Sequence, residues 1–356
     1  MKYFLKSIIV FSLCLLIVSC SKSDSSSSEP LRDYATQRDT DMVNIEEFMK
    51  SHYMEVVNDP GQTDDQDVKF TLIPTGGTQV SIWDQTDYPK QSRLISVKQG
   101  DADIVYKIYY LQLRQGSGTA PCNVDKVKTA YRGEYILKST DSSVDPAVIT
   151  YNSTQFQEAK FPIEIDLFTA IRGWGEIFPK FKTGSYTTNS DGTVSYTNFG
   201  AGVMFIPSGL AYYSGATGGI PSYSPLIFSF KLYNLQRGDQ DGDGIPSYLE
   251  DTATSVTEEN GNVTIIPNVP DGYVNILATG VTNPDNSDQT AVLMPNGNYS
   301  STDEKPDFYD VDDDGDGVMT KVEIINSVTG LAYPFADIPT CGGTSTLKKY
   351  LDPSCH

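Results

Sequence analysis

Two stretches in the last third of the chain repeat one twelve-residue pattern, and this repeat restricts local structure more than any other feature of the sequence. The first stretch runs from Asp239 to Glu250 and the second from Asp312 to Glu323. In both, acidic residues stand at positions 1, 3, 5 and 12, and glycine stands at position 6. Glycine permits the sharp turn that brings the carboxylates together, and carboxylates so close repel one another until a cation neutralises them.

The spacing D-x-D-x-D-G-x5-E is that of a calcium loop. Side chains at positions 1, 3, 5 and 12 supply oxygens, position 7 supplies a backbone carbonyl, and position 9 binds directly or through water. Hard oxygen ligands in this number suit Ca2+ better than Mg2+. The alternative is a solvated acidic run. The predicted ligands are Asp239, Asp241, Asp243, Ile245, Ser247 and Glu250 in the first loop, and Asp312, Asp314, Asp316, Val318, Thr320 and Glu323 in the second.

The surroundings of the loops differ from a helix–loop–helix pair. A strand-like run ends at Leu235 just before the first loop, and Pro246 lies inside that loop. The residue pattern of both stretches resembles the EF-hand-like or thrombospondin type-3-like calcium repeats of bacterial surface proteins. That resemblance implies a structural Ca2+, with Asp307 and Asp310 as additional ligands.

Charge and histidine content exclude several functions. The chain has 46 acidic and 26 basic residues and a net charge of −20, which disfavours nucleic acid as a partner. Its two histidines are His52 and His356, too few for most zinc sites, for a Ser-His-Asp triad or for Cys-His catalysis.

The N-terminus has the layout of a signal peptide. Lys2 and Lys6 precede a short apolar run over residues 7–18, and a small residue stands before Cys20. This ending resembles a bacterial lipobox, which implies acylation of Cys20; an ordinary secretory signal is the alternative. We expect a leader over residues 1–19, a flexible tether over residues 20–32 and attachment to the membrane of the bacterial cell envelope.

Three further regions follow the tether. Residues 33–102 form an N-terminal extension with a helix predicted from Asp39 to Tyr53, residues 103–237 are rich in strand patterns, and residues 238–356 carry the loops. A second helix is predicted over Phe168–Phe181. The predicted strands are Val68–Ile73, Val80–Trp83, Ile104–Leu113, Val127–Leu137, Gly202–Ile206 and Leu226–Leu235. The fold class is therefore α+β.

Five sequence blocks of the middle region stand in the order found in one family. They are Val127-Lys-Thr-Ala-Tyr131-Arg-Gly133, Ile171-Arg-Gly-Trp174-Gly-Glu176, Ile206-Pro-Ser-Gly-Leu-Ala-Tyr212, Gly219-Ile-Pro221 and Leu226-Ile-Phe228-Ser-Phe230-Lys-Leu232. Together they resemble the FKBP-type peptidyl-prolyl cis-trans isomerases over about residues 103–236. The resemblance implies an antiparallel sheet wrapped on one helix.

The resemblance also implies an apolar cavity and its roles. Trp174 would form the floor, the Tyr212 hydroxyl would bind a ligand carbonyl, and the N–H of Ile171 would be a second donor. The implied lining is Tyr131, Tyr151, Phe161, Ala170, Ile171, Trp174, Tyr212, Ile220 and Phe228. The sequence departs from the family in three ways: Tyr151-Asn152 stands where Phe-Asp is usual, Tyr213 replaces a glycine, and the loops differ. Lys138–Ala147 resembles an insertion, and Ser185–Gly200 adds a predicted hairpin.

The combined pattern resembles lipoproteins of Bacteroidetes-type bacteria, some linked to gliding motility. It implies an exported, lipid-anchored prolyl isomerase that acts on proline-containing segments of client proteins. Two alternatives stay open: a non-catalytic chaperone or binding module that uses the same cavity, and a calcium-stabilised surface scaffold. Separately, Cys341 and Cys355 enclose a short loop in which a disulfide is sterically easy, the alternative being unpaired thiols.

Overall fold

The structure is a computed structural model, and its described residues from Asp33 onward form one compact unit. The leader and Cys20 lie outside the described residues. No helix within the described residues is long and apolar enough to cross a membrane. The described residues are 31–99, 102–250, 254–257, 263–266, 281–282, 307–342, 348–352 and 354–355.

Strands dominate the described chain, so the predicted sheet-rich α+β class is confirmed. The helices are α1 (Tyr34–Ser51), α2 (Arg172–Ile177) and α3 (Thr320–Glu323). The strands are β1 (His52–Val56), β2 (Val68–Leu72), β3 (Gln91–Gln99), β4 (Ala102–Arg114), β5 (Lys126–Asp141), β6 (Val148–Asp166), β7 (Ser185–Thr188), β8 (Val194–Thr197), β9 (Gly200–Ile206), β10 (Leu226–Gln236), β11 (Thr254–Thr257), β12 (Val263–Ile266) and β13 (Val281–Thr282).

The central sheet has six antiparallel strands in the order β3-β4-β9-β10-β5-β6. The last two strands in sequence, β9 and β10, therefore lie between the hairpins β3–β4 and β5–β6. Phe228 of β10 pairs with Met204 of β9 on one side and with Gly133 of β5 on the other. Smaller sheets are β1–β2, β7–β8 and β12-β11-β13.

Helix α2 packs on one face of the sheet. The largest buried cluster lies there and includes Trp174, Ile177, Phe178, Phe228 and Phe230. Because side chains alternate between the two faces of a strand, the same strands send a second apolar set to the opposite face.

The N-terminal extension covers that opposite face. Ile45, Phe48 and Met49 of α1 pack with Phe205 of β9 and Ile227 of β10. Strand β3 also precedes the boundary predicted between residues 102 and 103, yet it pairs with β4 along its whole length. Residues 33–102 are thus part of the sheet's own packing, because both faces of its strands are apolar.

Both predicted helices have different bounds in the structure. Helix α1 starts at Tyr34, before the predicted Asp39, because the Asp33 side chain caps it by accepting the Thr36 N–H at 2.8 Å. It ends at Ser51. Helix α2 begins at Arg172 and ends at Ile177, well inside the predicted Phe168–Phe181, and a 3-10 turn containing Pro179 follows it.

The strand predicted at Val80–Trp83 is wrong, because this stretch is a turn. The Ser81 hydroxyl donates to the Asp84 carboxylate at 2.7 Å and accepts the Asp84 N–H at 3.1 Å. Such local side-chain bonds compete with strand pairing. Elsewhere, the region around residues 138–147 lengthens the β5–β6 hairpin, whose strands pair out to Asp141 and Val148.

The C-terminal segment has a small core of its own. Ile245 of the first loop, Ile324 after the second loop and Tyr350 are buried together, with Ile338 and Leu351. A disulfide joins Cys341 and Cys355, whose Cα atoms are 5.4 Å apart. Cys122 lies elsewhere and is buried.

The segment also packs against the sheet domain. Val124 and Cys122 are buried with Phe308, and Phe168 meets the Phe308 ring at 5.4 Å between centroids. The predicted boundary at residue 238 therefore falls inside a shared apolar cluster. The buried carboxylate of Asp125 accepts the Gly238 N–H at 3.1 Å and fixes the exit from β10.

Candidate functional site

Trp174 lies at the centre of an aromatic group between α2 and the sheet. Its ring stacks on Phe178 at 4.9 Å and meets the rings of Tyr131 at 5.0 Å and Phe228 at 5.1 Å edge-on. Only 3% of Trp174 is exposed, and its indole N–H has no hydrogen-bond partner among the described residues. Edge-to-face and offset-stacked rings stabilise one another beyond simple burial.

Two glycines allow this close approach. A Cβ at Gly133 would lie 2.6 Å from the Phe156 ring and 2.9 Å from the Phe228 ring. A Cβ at Gly173 would lie 2.6 Å from a side-chain carbon of Ile206 on β9. Glycine at these positions is therefore required by packing: one brings β5 against the aromatic rings, and the other brings α2 against the sheet.

Phe156, which the sequence analysis did not name, contributes a ring to the group. It meets Phe228 edge-on at 5.7 Å between centroids. Gly133 of β5 pairs with Gln157 of β6, and the next residue, Glu134, pairs with Gln155. Phe156 is therefore the extra, unpaired residue of a β-bulge. The bulge changes the alternation of side chains, and the missing side chain of Gly133 leaves the room that the ring fills.

Tyr151 and Phe161 lie away from the group. Tyr151 packs against the cluster on the opposite sheet face, and Phe161 is 70% exposed. Phe161 and Pro162 stand in a second irregular stretch, where Ala130 of β5 faces three residues of β6. Proline lacks the N–H that regular strand pairing needs, so the alternation of side chains is interrupted here. The separation of Phe161 from Trp174 in the sequence therefore does not predict the direction of the Phe161 side chain.

Three of the remaining predicted lining residues belong to the apolar cluster on the α2 side of the sheet, and Tyr212 lies close enough to Tyr131 to affect its titration. Ile220 is 4% exposed, and Ala170 and Ile171 are half-buried against the cluster. Tyr212 is 41% exposed. Burial raises the pKa of Tyr131, and the nearby Tyr212 hydroxyl raises it further. The arrangement thus combines a dry aromatic floor with a partly solvated phenol.

The loop that carries Tyr212 is held by α1. The buried Asp41 carboxylate accepts from the Ser208 N–H at 2.7 Å and from the Ser208 hydroxyl at 2.6 Å. Tyr213 has φ of 48°, in the region that favours glycine, which is the residue the resemblance expects there. Its ring stacks on Tyr34 at 4.4 Å.

Ion pairs tie α2 to the sheet edge. The buried Glu176 carboxylate contacts Arg93 of β3 at 2.7 Å and Arg172 of α2 at 2.6 Å. These contacts fix the helix that carries Trp174 relative to β3, which the resemblance placed outside the domain.

The two acidic loops share one internal hydrogen-bond pattern. The position-6 N–H donates to the position-1 carboxylate in both, from Gly244 to Asp239 at 3.3 Å and from Gly317 to Asp312 at 3.0 Å. The position-7 N–H donates to the position-5 carboxylate at 2.7 Å in both. Glycines at positions 4 and 6 have positive φ in each loop. The sequence repeat is therefore a structural repeat.

Carboxylate oxygens form two groups in which all members lie within 4.8 Å of one another. The first group joins Asp241, Asp243 and Glu250 of the first loop to Asp313 of the second loop. The second group contains Asp312, Asp314 and Asp316. Asp239 and Glu323 lie outside these groups, although Glu323 is only 1% exposed.

Several carboxylate oxygens of the two loops, inside and outside these groups, are buried without a hydrogen-bond partner among the described residues. They include one oxygen each of Asp241, Asp243 and Asp314 and both of Glu323. Burial, together with the charge of the neighbouring Asp243, raises the pKa of Asp241 to about 8. Burial, with the charges of Asp314 and Asp316, raises the pKa of Glu323 to about 8. A divalent cation would satisfy such oxygens, so the donors fit the predicted metal.

The hydroxyls at position 9 close the loops. Ser247 Oγ accepts the Gln240 N–H at 3.0 Å, and Thr320 Oγ1 accepts the Asp313 N–H at 3.1 Å. Ile245 and Val318 stand at position 7, where the backbone carbonyl is the predicted ligand. Asp310 is buried and accepts the Asp312 N–H at 3.2 Å, close to the second loop but outside both carboxylate groups.

Comparison with known proteins gives one family match and several structural neighbours. Residues 240–348 match the family model "BamM C-terminal". Among curated proteins, none is significantly similar in sequence.

Three solved structures share 36% of the chain. A peptidyl-prolyl cis-trans isomerase of Pseudomonas syringae pv. tomato has 21% identity, 76% of its own chain covered and a TM-score of 0.27. FkpA of Escherichia coli has 24% sequence identity, and its TM-score is 0.26. The match covers 48% of the FkpA chain, so this chain spans about half the length of FkpA. The N-terminal domain of FKBP42 from Arabidopsis thaliana has 12% sequence identity, 86% of its chain is covered, and its TM-score is 0.26. TM-scores this low establish no shared overall fold.

Proposed function

We propose that residues 91–236 form an FKBP-type peptidyl-prolyl isomerase domain. The observation that carries the proposal is the enclosed Trp174, which the rings of Tyr131, Phe228 and Phe178 surround, together with the partly exposed Tyr212, which lies near Tyr131. The FKBP-like order of sequence blocks supports it.

The chemistry needs no acid–base pair. Rotation about an X–Pro bond is opposed by amide resonance, a barrier of about 18–20 kcal/mol. An apolar aromatic surface favours the twisted amide, in which charge separation is smaller than in the planar amide. Donors such as the Tyr212 hydroxyl and the Ile171 N–H would hold the substrate carbonyl during rotation. Catalysis would consist of tighter binding of the twisted state.

A prolyl-peptide isomerisation assay on residues 21–356 tests this proposal. Wild-type protein should accelerate cis–trans exchange, and Tyr212→Phe should lower kcat/KM by about 3- to 10-fold, the value of one hydrogen bond. Tyr186→Phe is the control, because Tyr186 is an exposed tyrosine on the β7–β8 hairpin. Wild-type protein without acceleration of any Xaa-Pro peptide would contradict catalysis.

A second candidate is a non-catalytic module that binds proline-containing segments of exported clients. One observation favours it. Phe156 is the ring that meets Phe228, and Gln157 follows it. An amide therefore stands after this phenylalanine where the family usually has a carboxylate, as it also would at the predicted Tyr151-Asn152. Binding of unfolded proline-rich peptides without rate acceleration would support this candidate over catalysis.

The two acidic loops would bind structural Ca2+. The shared loop geometry and the unpartnered buried oxygens of Asp243, Asp314 and Glu323 support this proposal. Equilibrium dialysis should find two calcium ions per chain, with Asp241→Asn and Asp314→Asn each removing one. Asp337→Asn, an exposed acid outside the loops, should change nothing. Equal binding by wild type and both loop variants would contradict the proposal.

Cys20 would carry the lipid anchor of the protein in the bacterial cell envelope. Cys20→Ser should move the protein from the membrane fraction to the soluble exported fraction. One acyl chain binds membranes only marginally, so stable attachment requires more than one chain. Unchanged membrane partitioning of the variant would contradict the anchor.

A further inference from the structure

Asp313 belongs to the first carboxylate group although it lies in the second loop. One of its carboxylate oxygens is within 4.8 Å of oxygens from Asp241, Asp243 and Glu250. Its side chain is completely buried. The twelve-residue pattern assigns no ligand at position 2, so the sequence repeat alone does not indicate this residue.

The direction of the Asp313 side chain follows from its neighbours. Asp312 and Asp314 both belong to the second group, and Asp313 between them points to the first. The Asp313 carboxylate also accepts from the Thr320 hydroxyl at 3.0 Å, and its own N–H donates to the same hydroxyl at 3.1 Å. These bonds fix the backbone and the side chain together.

The equivalent position of the first loop is used differently. Gln240 stands there, and its side-chain amide donates to the Val124 carbonyl at 2.9 Å. The two loops thus share their internal geometry but differ at position 2. One uses it to attach to the sheet domain, and the other uses it to reach the neighbouring loop.

A second observation points to a cation in the first group. Asp243 is 3% exposed, and one of its carboxylate oxygens is buried without a hydrogen-bond partner among the described residues. Carboxylates packed this closely are costly unless a cation pairs with them. Oxygen ligands from four carboxylates match the donor set that Ca2+ prefers.

We propose that the first cation site is a joint site, completed by Asp313 of the second loop. This inference rests on the proposed binding of calcium by the loops. A cation held there fastens the chain around Asp241 to the chain around Asp313. The second loop then serves both ions, since alternate residues of Asp312–Asp314 face different sites.

A double-mutant cycle with calcium binding as the readout tests the joint site. The variants are Asp313→Asn, Asp241→Asn, Asp314→Asn and the two double variants that contain Asp313→Asn, each in residues 21–356. Asparagine keeps an oxygen to accept the Thr320 hydroxyl, so the second loop retains its closure. Far-UV circular dichroism of each variant in excess calcium checks that it is folded.

Asp313→Asn should weaken one of the two binding events by at least about 10-fold, the scale expected when a metal site loses a supporting group. Combined with Asp241→Asn it should cause little further loss, because both substitutions affect the same site. Combined with Asp314→Asn it should leave only the first binding event, weakened by the same factor as in Asp313→Asn alone, because the two substitutions affect different sites. The joint site would be overturned if Asp313→Asn bound calcium like the wild type. It would also be overturned if Asp313→Asn added a further loss to Asp241→Asn but none to Asp314→Asn. Absence of calcium binding in the wild type would instead overturn the proposed metal function itself.

Discussion

Phe156 and Phe161 lie on the same strand, and only Phe156 places its ring against Phe228. Phe156→Ala should lower the free energy of unfolding by about 1–3 kcal/mol, less than the 3–5 kcal/mol of a fully buried phenylalanine, because the ring is half-buried. Peptide isomerisation should fall with it. Phe161→Ala is the matched control and should change stability by less than about 0.5 kcal/mol.

Denaturant unfolding of the two variants measures this difference. A larger loss for Phe161→Ala than for Phe156→Ala would contradict this prediction and would favour Phe161, as the resemblance implies, as the phenylalanine of the cavity.

The residues that the sequence could predict are those held by short-range rules. Trp174 and Phe228 come together because each stands in a regular element with the expected alternation. Phe156 could not be predicted, because a β-bulge opposite Gly133 alters that alternation. Asp313 could not be predicted either, since its position within the repeat gives no ligand and only tertiary folding brings the loops together.

His52 carries a pH dependence that belongs to one side chain. It is 4% exposed, its ring stacks on Phe48 at 4.0 Å, and its Nδ1 lies 3.1 Å from the Phe48 carbonyl. Burial lowers the pKa of His52 below the ordinary 6.5. The unfolded chain therefore binds this proton more readily, so the stabilisation is present above pH 6.5 and is lost as the pH falls through the folded-state pKa.

The measurement compares the unfolding free energy of wild type and His52→Asn between about pH 5 and pH 7.5. Asparagine preserves a donor near the Phe48 carbonyl but does not titrate. The difference between the two proteins should shrink as the pH falls. A difference independent of pH would show that His52 does not titrate in this range.

At the scale of elements, α1 acts as the support of the Tyr212 loop. Asp41→Ala would leave the Ser208 N–H and hydroxyl without their acceptor, at a cost of about 1–3 kcal/mol for each buried group. The same substitution should lower kcat/KM for prolyl peptides, because Tyr212 follows Ser208 in this loop. Asp39→Ala is the control, since the Asp39 side chain is 71% exposed.

Unfolding midpoints and isomerisation rates measured on both variants separate the two effects. A variant Asp41→Ala that retains full activity at a temperature where it is folded would show that α1 supports stability without positioning Tyr212.

The elements were easier to predict than their contacts. The long strands β4, β5 and β10 follow directly from runs of β-branched and aromatic residues. Their pairing order does not, because local patterns carry no information about which strands become neighbours. The packing of α1 on the sheet could not be predicted either, because the apolar stripe at Ile45 and Phe48 does not indicate which surface it packs against.

For the whole molecule, the shared cluster of Val124, Phe168 and Phe308 couples the acidic loops to the sheet domain. Calcium would bind the folded loops and not the unfolded chain, so its removal should destabilise the segment. Because that segment packs on the sheet domain, EGTA should lower the unfolding temperature of residues 21–356 and increase proteolysis after Gly238. Isomerase activity should persist at temperatures well below that transition.

Limited proteolysis and thermal unfolding with EGTA or excess Ca2+ check this expectation, and Mg2+ alone is the control. An unfolding temperature unaffected by EGTA would contradict the coupling. Loss of isomerase activity in EGTA while the sheet domain remains folded would make calcium a regulator of the site.

The position of β9 and β10 between two earlier hairpins has a consequence for how the chain folds as it is synthesised. The β3–β4 and β5–β6 hairpins emerge first, and β4 and β5 then each have an edge without a neighbour until residues 200–236 arrive. Unpaired edges are templates for association between chains, and pairing between strands distant in sequence is slow. The sheet therefore closes only after its last hairpin inserts. Until then, correct folding depends on keeping two incomplete half-sheets apart from those of other chains.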